Sequence, residues 1–237
     1  MPSYNYTDFQ AGLYDLDRFR GPLPGEKAPD GTVTTVNGDP RQLLSFDAPF
    51  MVLEMGSITC PLFQDRRKRM GHIKDRFPDV QFAVLYVREA HPGALTPGHK
   101  DVAEKQACAS KLTSDGEGRE VLVDGIDGAL HLAFGGYPNA VFILNQAGCV
   151  LWQSAWNDPK AVALALADLT QGRAPKVRGI FKPARPWIVK KTMKGAGPGA
   201  FADFLRDFPG LIWKNLIKFN LQQRFGKGAP VGPDTRC

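Results

Sequence analysis

Residues 50–61 read Phe-Met-Val-Leu-Glu-Met-Gly-Ser-Ile-Thr-Cys-Pro: an apolar run, a glycine turn, then a cysteine followed by proline. Phe50 to Met55 shows no alternation of apolar and polar residues, as a strand buried on both faces requires. Proline suits the first turn of a helix, where its missing N–H has no partner to lose. The stretch is therefore a strand-to-helix junction. The helix is expected over Pro61 to Phe77, with Leu62, Phe63, Met70, Ile73 and Phe77 roughly on one face. Val80 to Val87 supplies a second buried strand. Strand, helix, strand is a parallel crossover, which brings both strand ends out on the same edge of the sheet.

Upstream, Gly21 to Asp30 is a Pro- and Gly-rich lead-in, and Thr32 to Val36 followed by Asn37-Gly38 predicts a hairpin. Downstream, Lys100 to Leu112 predicts a helix, Val121 to Asp124 a short strand, and Gly128 to Phe134 a turn or short helix. Ala140 to Leu144 and Val150 to Gln153 predict a second hairpin. Asp158 to Thr170 reads as a helix capped by Asp158, with Pro159 first. A βαβ half followed by a ββα half is the thioredoxin-like arrangement, an α/β fold with a mixed central sheet flanked by helices. Three regions follow: a lead-in (1–30), the thioredoxin-like domain (31–172) and a mainly helical C-terminal extension (173–237). Charge sets the extension apart, with 14 Lys and Arg against 3 Asp and Glu, while residues 1–172 hold 16 against 21.

Apolar content of 43% and charge of 23% are ordinary for a globular chain. No run approaches the roughly 18 to 20 apolar residues of a membrane-spanning helix. Met1 to Asp17 lacks the basic and apolar regions of a secretory signal, so a cytoplasmic protein is expected. Cys60, Cys108, Cys149 and Cys237 show no CxxC spacing and suggest no disulfide framework. Cys149 is expected to pack in place, and Cys237, the last residue, to be mobile. His72, His91, His99 and His131 show no paired spacing with those cysteines, so no metal and no bound cofactor are expected.

Cys60 directly precedes a helix, facing unpaired N–H groups and the positive end of the helix dipole, both of which favour a nucleophilic thiolate. Ser57 and Thr59 bring hydroxyls to hold that thiolate or the group it attacks. Glu89-Ala90-His91-Pro92 follows the neighbouring strand, so Glu89 and His91 emerge beside Cys60. Two residues apart in an extended segment, they point the same way, with the carboxylate orienting an imidazole proton donor. His99 falls on the same rim. Gly135-Gly136-Tyr137-Pro138 precedes an interior strand, where Tyr137-Pro138 suits a cis bond opposite the cysteine and a backbone free to bind substrate.

Gly56-Ser57-x-Thr59-Cys60-Pro61-x-Phe63 followed by Leu85-Tyr86-Val87-x-Glu89-Ala90-His91-Pro92 resembles the core signature of the iodothyronine deiodinases, and His99 lies in a segment similar to one of theirs. The resemblance spans about Phe50 to Leu169. It implies a thioredoxin fold and reductive deiodination of an iodinated phenol by a chalcogen nucleophile. Cys60 would be that nucleophile, in place of selenocysteine, with Ser57, Thr59, Glu89, His91 and His99 in support. Tyr137-Pro138-Asn139-Ala140 stands where the family has Tyr-x-Glu-Arg, so the arginine that helps grip an iodothyronine has no counterpart. Pro24 to Asp30 is similar to the lead-in of peroxiredoxin-type redoxins.

An oxidised Cys60 must be reduced again, by Cys108 as resolving cysteine or by an external thiol such as thioredoxin, glutathione or a dithiol. Two other activities stay open: a thiol peroxidase or general thiol-disulfide reductase, and a non-catalytic redox-sensing or binding redoxin. The expected partners are a small aromatic or halogenated substrate and the reductant. Phe208 to Phe225 predicts a basic amphipathic helix suited to a membrane surface, or equally to packing on the body or on a homodimer mate with its lysines in solvent. No nucleic-acid-binding motif accompanies the charge.

Overall fold

The computed structural model describes residues 4–14, 16, 18–225 and 229–237; the rest of the expected lead-in and extension lies outside the described residues. A short hairpin, β1 (Thr32–Thr35) and β2 (Pro40–Gln42), turns through Gly38 at φ +92°. β3 (Phe50–Gly56), α1 (Pro61–Arg76) and β4 (Val80–Tyr86) form the parallel crossover, with Gly56 opposite Tyr86 at its end. α2 (Val102–Ser114), β5 (Glu120–Val123) and α3 (Ala129–Ala133) follow, then the antiparallel pair β6 (Val141–Asn145) and β7 (Val150–Ser154), and α4 (Pro159–Leu169). The seven strands run β2-β1-β5-β4-β3-β6-β7 across one mixed sheet, with β3 between parallel β4 and antiparallel β6. This is the thioredoxin-like fold.

Alternation along β3 feeds both faces of the sheet. Met51, Leu53 and Met55 pack with Leu85, Phe142 and Phe134, while Phe50 and Val52 pack with Met70, Ile73, Val162 and Leu166 of α1 and α4. Tyr6, Phe9, Tyr14 and Leu16 of the lead-in are buried in the first of these clusters. The polar exception in β3 is Glu54, fully buried, which pairs with Arg119 and accepts from Asn139 at 2.7 Å and Asn157 at 2.6 Å.

The extension holds α5 (Pro186–Ala196), α6 (Ala200–Leu211), a π-helical stretch over Ile212–Phe219 and α7 (Asn220–Phe225). Pro209, inside α6, lacks the N–H that an α-helix would use there, and the chain widens three residues later. Arg185 bonds Asp65 at 2.5 Å and Lys182 bonds Asp158 at 3.0 Å, tying the extension to the domain. The expected amphipathic helix starts earlier than Phe208 and turns the opposite way to a core-facing one. Asn215 and Phe219 are buried, while Trp213, Leu216, Ile217 and Leu221 face outward. No helix among the described residues is long and apolar enough to cross a membrane.

Two expectations are corrected. The described residues contain no cis peptide bond, so Tyr137-Pro138 is trans. Cys149 and Cys237 are joined as a disulfide, which ties the chain end to the β6–β7 turn. The side-chain amide of Asn145 donates to the carbonyls of Pro233 (3.1 Å) and Thr235 (2.8 Å), holding the last residues beside Cys149. Sequence spacing hid this pair because the two cysteines lie 88 residues apart. Closing a loop of that length restricts the unfolded chain, so Cys237→Ser is expected to cost about 2–4 kcal/mol in denaturant titrations. Reductant should cost the wild type a similar amount and the variant nothing; equal responses would show that the bridge does not stabilise the fold.

Candidate active site

Cys60 caps α1 and is 2% exposed. The turn leading to it requires glycine at position 56, because a Cβ there would sit 2.4 Å from the ring of Phe63. Burial pushes the Cys60 thiol up to about 11; the N–H groups of Phe63 and Leu62 and the charge of Arg66 pull it down, and Glu54 pushes it up. The helix terminus thus acts in the expected direction, but desolvation outweighs it. Burial opposes the thiolate that the helix terminus favours.

Ser57 and Thr59 do not hold the sulfur; they join two loops. Ser57 Oγ accepts from the N–H of Ala90 at 3.2 Å, and Thr59 Oγ1 accepts from the N–H of His91 at 3.1 Å. Thr59 in turn gives its hydroxyl (2.6 Å) and its N–H (2.9 Å) to Glu89 Oε2. Glu89 Oε1 accepts from the phenol of Tyr86 and lies 3.2 Å from His99 Nε2. Burial alone would raise the Glu89 pKa, but His99, Thr59 and Tyr86 together hold it below the usual carboxylate value.

The imidazole beside Glu89 is therefore that of His99 and not, as expected, that of His91. His91 is buried against Phe9 (ring centres 4.1 Å apart) and Phe204 of α6 (5.5 Å), and its Nδ1 has no hydrogen bond. Burial pushes its pKa down to about 3 and so disfavours its charged form. Cys108, half-buried on α2, faces Glu89 and Tyr86, with its pKa pushed up by burial to about 11; it and Cys60 are both free thiols. Tyr137 packs between Phe19 and Trp156, and its carbonyl lies 3.0 Å from His131 Nε2, so it belongs to the core.

Two residues of the site escaped the sequence reading. Tyr86 looks like one more apolar residue of β4, yet it is the strand's last residue and so reaches the same edge as Glu89. Arg66 falls on the buried face of α1 between Phe63 and Met70, a charge where the spacing calls for an apolar residue. That break in the pattern was its signal. Arg66 donates to the carbonyls of Leu62 (3.0 Å) and Lys182 (2.6 Å), while its Nε has no partner. Beside the site, Ile58 opens onto a groove of about 910 Å³ that is also lined by Arg67, Lys68, Lys111, Thr96 and Lys191.

A model of the iodothyronine deiodinase family matches residues 9–160. Human thyroxine 5-deiodinase is 26% identical over 152 residues, which is 58% of this chain and 49% of that protein. The enzyme of the same name from Aquarana catesbeiana is 27% identical over 198 residues, 78% of this chain and 66% of its own length. The chain thus spans about half the length of the human relative. Among solved structures, an uncharacterised protein from Geobacillus kaustophilus superposes with a TM-score of 0.53 at 17% identity, covering 70% of this chain and 96% of that one. A hypothetical protein from Sinorhizobium meliloti gives 0.53 at 14% identity, with 68% and 91% covered. At these identities the superpositions concern the fold alone.

Both His91 and His131 are held near 3 by burial, below the ordinary 6.5 of an unfolded histidine. The unfolded chain therefore binds more protons below pH 6.5, and stability is lost as pH falls from there, by up to about 1.4 kcal/mol per pH unit for each histidine. His91→Gln should remove its share of that slope in denaturant titrations between pH 7 and 4. An unchanged slope would show that His91 is hydrated and free to titrate.

Proposed function

Since the chain belongs to the iodothyronine deiodinase family, we propose that it is a thiol-dependent oxidoreductase that removes iodine from an iodinated phenol through the sulfur of Cys60. The observation that carries this reading is the Thr59–Glu89–Tyr86–His99 cluster, gathered at the strand edge beside a cysteine that caps a helix.

The chemistry follows from the groups present. Ionised Cys60 attacks iodine along the carbon–iodine axis. An S–I bond forms, the C–I bond breaks, and its electron pair stays on the ring carbon, which takes a proton. His99, whose Nε2 lies 3.2 Å from the Glu89 carboxylate, takes the role of passing that proton in this reading. An external thiol (thioredoxin, glutathione or a small dithiol) then attacks Cys60 sulfur and releases iodide, and a second thiol frees Cys60 as a thiol by forming the external disulfide. No bound cofactor is needed. The groove past Ile58 carries Arg67, Lys68, Lys74, Lys111 and Lys191 against Asp75, Asp115 and Glu117, with Arg67 paired to Glu117. This modest basic excess supports an anionic aromatic substrate where the family's arginine is missing.

The outward apolar face of Trp213, Leu216, Ile217 and Leu221, with Lys176, Arg178 and Arg224 beside it, supports contact of the extension with an anionic membrane surface. Flotation with anionic but not neutral vesicles tests this, and a concentration-dependent dimer without flotation would assign the face to a second copy. A Cys149–Cys237 disulfide favours an oxidising compartment over the cytoplasm as the working location.

The decisive assay follows iodide from iodinated phenols and iodothyronines in the presence of dithiol. Cys60→Ser should abolish release, and His99→Ala should slow it by about 10²- to 10⁴-fold. Peroxide consumption without iodide would make the protein a thiol peroxidase, and two blank assays would leave a binding redoxin. With Cys60 held near 11, alkylation of its sulfur should also speed up about tenfold per pH unit up to that value. A plateau near pH 7 would show that the thiolate forms without any opening of the site.

A further inference from the structure

We propose that Glu89, His99 and Cys108 form a binding site for Zn²⁺ that shares two residues with the reacting cluster and blocks it when filled. A carboxylate oxygen, an imidazole nitrogen and a sulfur converge here within 4.8 Å of one another. A tetrahedral zinc ion with bonds of about 2.0–2.3 Å holds its ligand atoms roughly 3.3–3.8 Å apart, so small side-chain adjustments suffice. The mixture of thiolate, imidazole and carboxylate selects zinc over the hard cations magnesium and calcium, which prefer oxygen alone.

A second observation points the same way. His99 is 4% exposed, yet neither ring nitrogen makes a well-aligned hydrogen bond; Nε2 lies 3.2 Å from Glu89 Oε1 at ion-pair distance only. Buried imidazole nitrogens without partners are costly, and metal coordination satisfies one of them. The surroundings supply the outer support that such sites use: Thr59 and Tyr86 donate to Glu89 and fix its orientation. Lys105 is the nearby cation on α2, and its Nζ is engaged by the carbonyl of Gly125 at 2.8 Å. Cys108, on α2, is half-buried, whereas Cys60 is buried.

Coordination breaks the S–H bond of Cys108, forms a zinc–sulfur bond and releases one proton to solvent, with no change of oxidation state. Three protein ligands leave a fourth position for water. A filled site occupies Glu89 and His99 and thereby removes the proton pathway, so zinc is expected to act as a reversible inhibitor relieved by a chelator.

The proposal rests on the same cluster as the deiodinase reading, but its test is optical. The full chain, stripped with chelator, is titrated with Co²⁺ as a spectroscopic stand-in. About one equivalent should give a thiolate-to-cobalt charge-transfer band and the intense visible bands of four-coordinate cobalt, both displaced by Zn²⁺. Cys60→Ser should keep the spectrum, Cys108→Ser should lose the charge-transfer band, and His99→Gln should weaken binding by about 100-fold or more. The wild-type spectrum needs no variant to fold. Weak six-coordinate bands, no binding, or a charge-transfer band that disappears with Cys60 and not with Cys108 would overturn the assignment. Iodide release that fails in the metal-free protein, while the cobalt site still forms, would sink the deiodinase reading and leave the zinc site standing. Release that is unchanged with the site filled would overturn the blocking role.

Discussion

The carboxylate of Glu89 accepts the N–H and hydroxyl of Thr59 on one oxygen and the phenol of Tyr86 on the other, with His99 3.2 Å away. Through Thr59 it fixes the turn that presents Cys60, and through its own place after β4 it fixes the neighbouring loop. Hydrogen bonds to a buried charged group contribute about 1.5–3 kcal/mol each, while a buried carboxylate stripped of its partners is strongly destabilising. The cluster therefore either forms whole or not at all. It is the reason two strand ends become one site.

This constraint conflicts with the demand on Cys60. A site closed well enough to sustain Glu89 as a buried anion is also dry enough to hold the Cys60 thiol near 11. The helix N–H groups and Arg66 reduce that penalty without removing it. Phe9 from the lead-in and Phe204 from α6 pack against His91. The lead-in and the extension, which flank the thioredoxin-like domain in sequence, thus contribute directly to the burial of His91.

Much of this was legible in the sequence. The β3 run, the Pro61 start, the Asn37-Gly38 turn and the Asp158-Pro159 cap each rest on local rules and lie where those rules put them. Cys60, Thr59 and Glu89 were legible because strand ends in a parallel crossover share an edge. What failed was side-chain direction within a loop. His91 and Glu89 alternate correctly for extended backbone, but the chain bends after β4, and its partner became His99, ten residues on. Tyr86 was hidden because it sits where periodicity reports only burial, while Arg66 left a signal, a charge on the buried face of α1, that does not by itself say what the charge faces. The Cys149–Cys237 pair and the inner role of the lead-in are long-range contacts that no local rule reaches.

The outward turn of the extension has the same kind of cause. Leu211, Ile212, Leu216 and Ile217 form an apolar stripe at helical spacing, which in an isolated reading faces either a core or a membrane. The domain packs α1, α4 and the lead-in on its sheet, and from the extension's helix Leu211 and Phe219 reach that core while Leu216 and Ile217 do not. Asn215 instead bonds the Leu211 carbonyl at 3.0 Å and accepts from Trp156 at 3.1 Å, and Phe219 fills the remaining gap. Rotating the helix to bury Leu216 and Ile217 would cost the bond from Trp156 and expose Phe219. The apolar face stays outward because Asn215 and Phe219 already fill the inner positions.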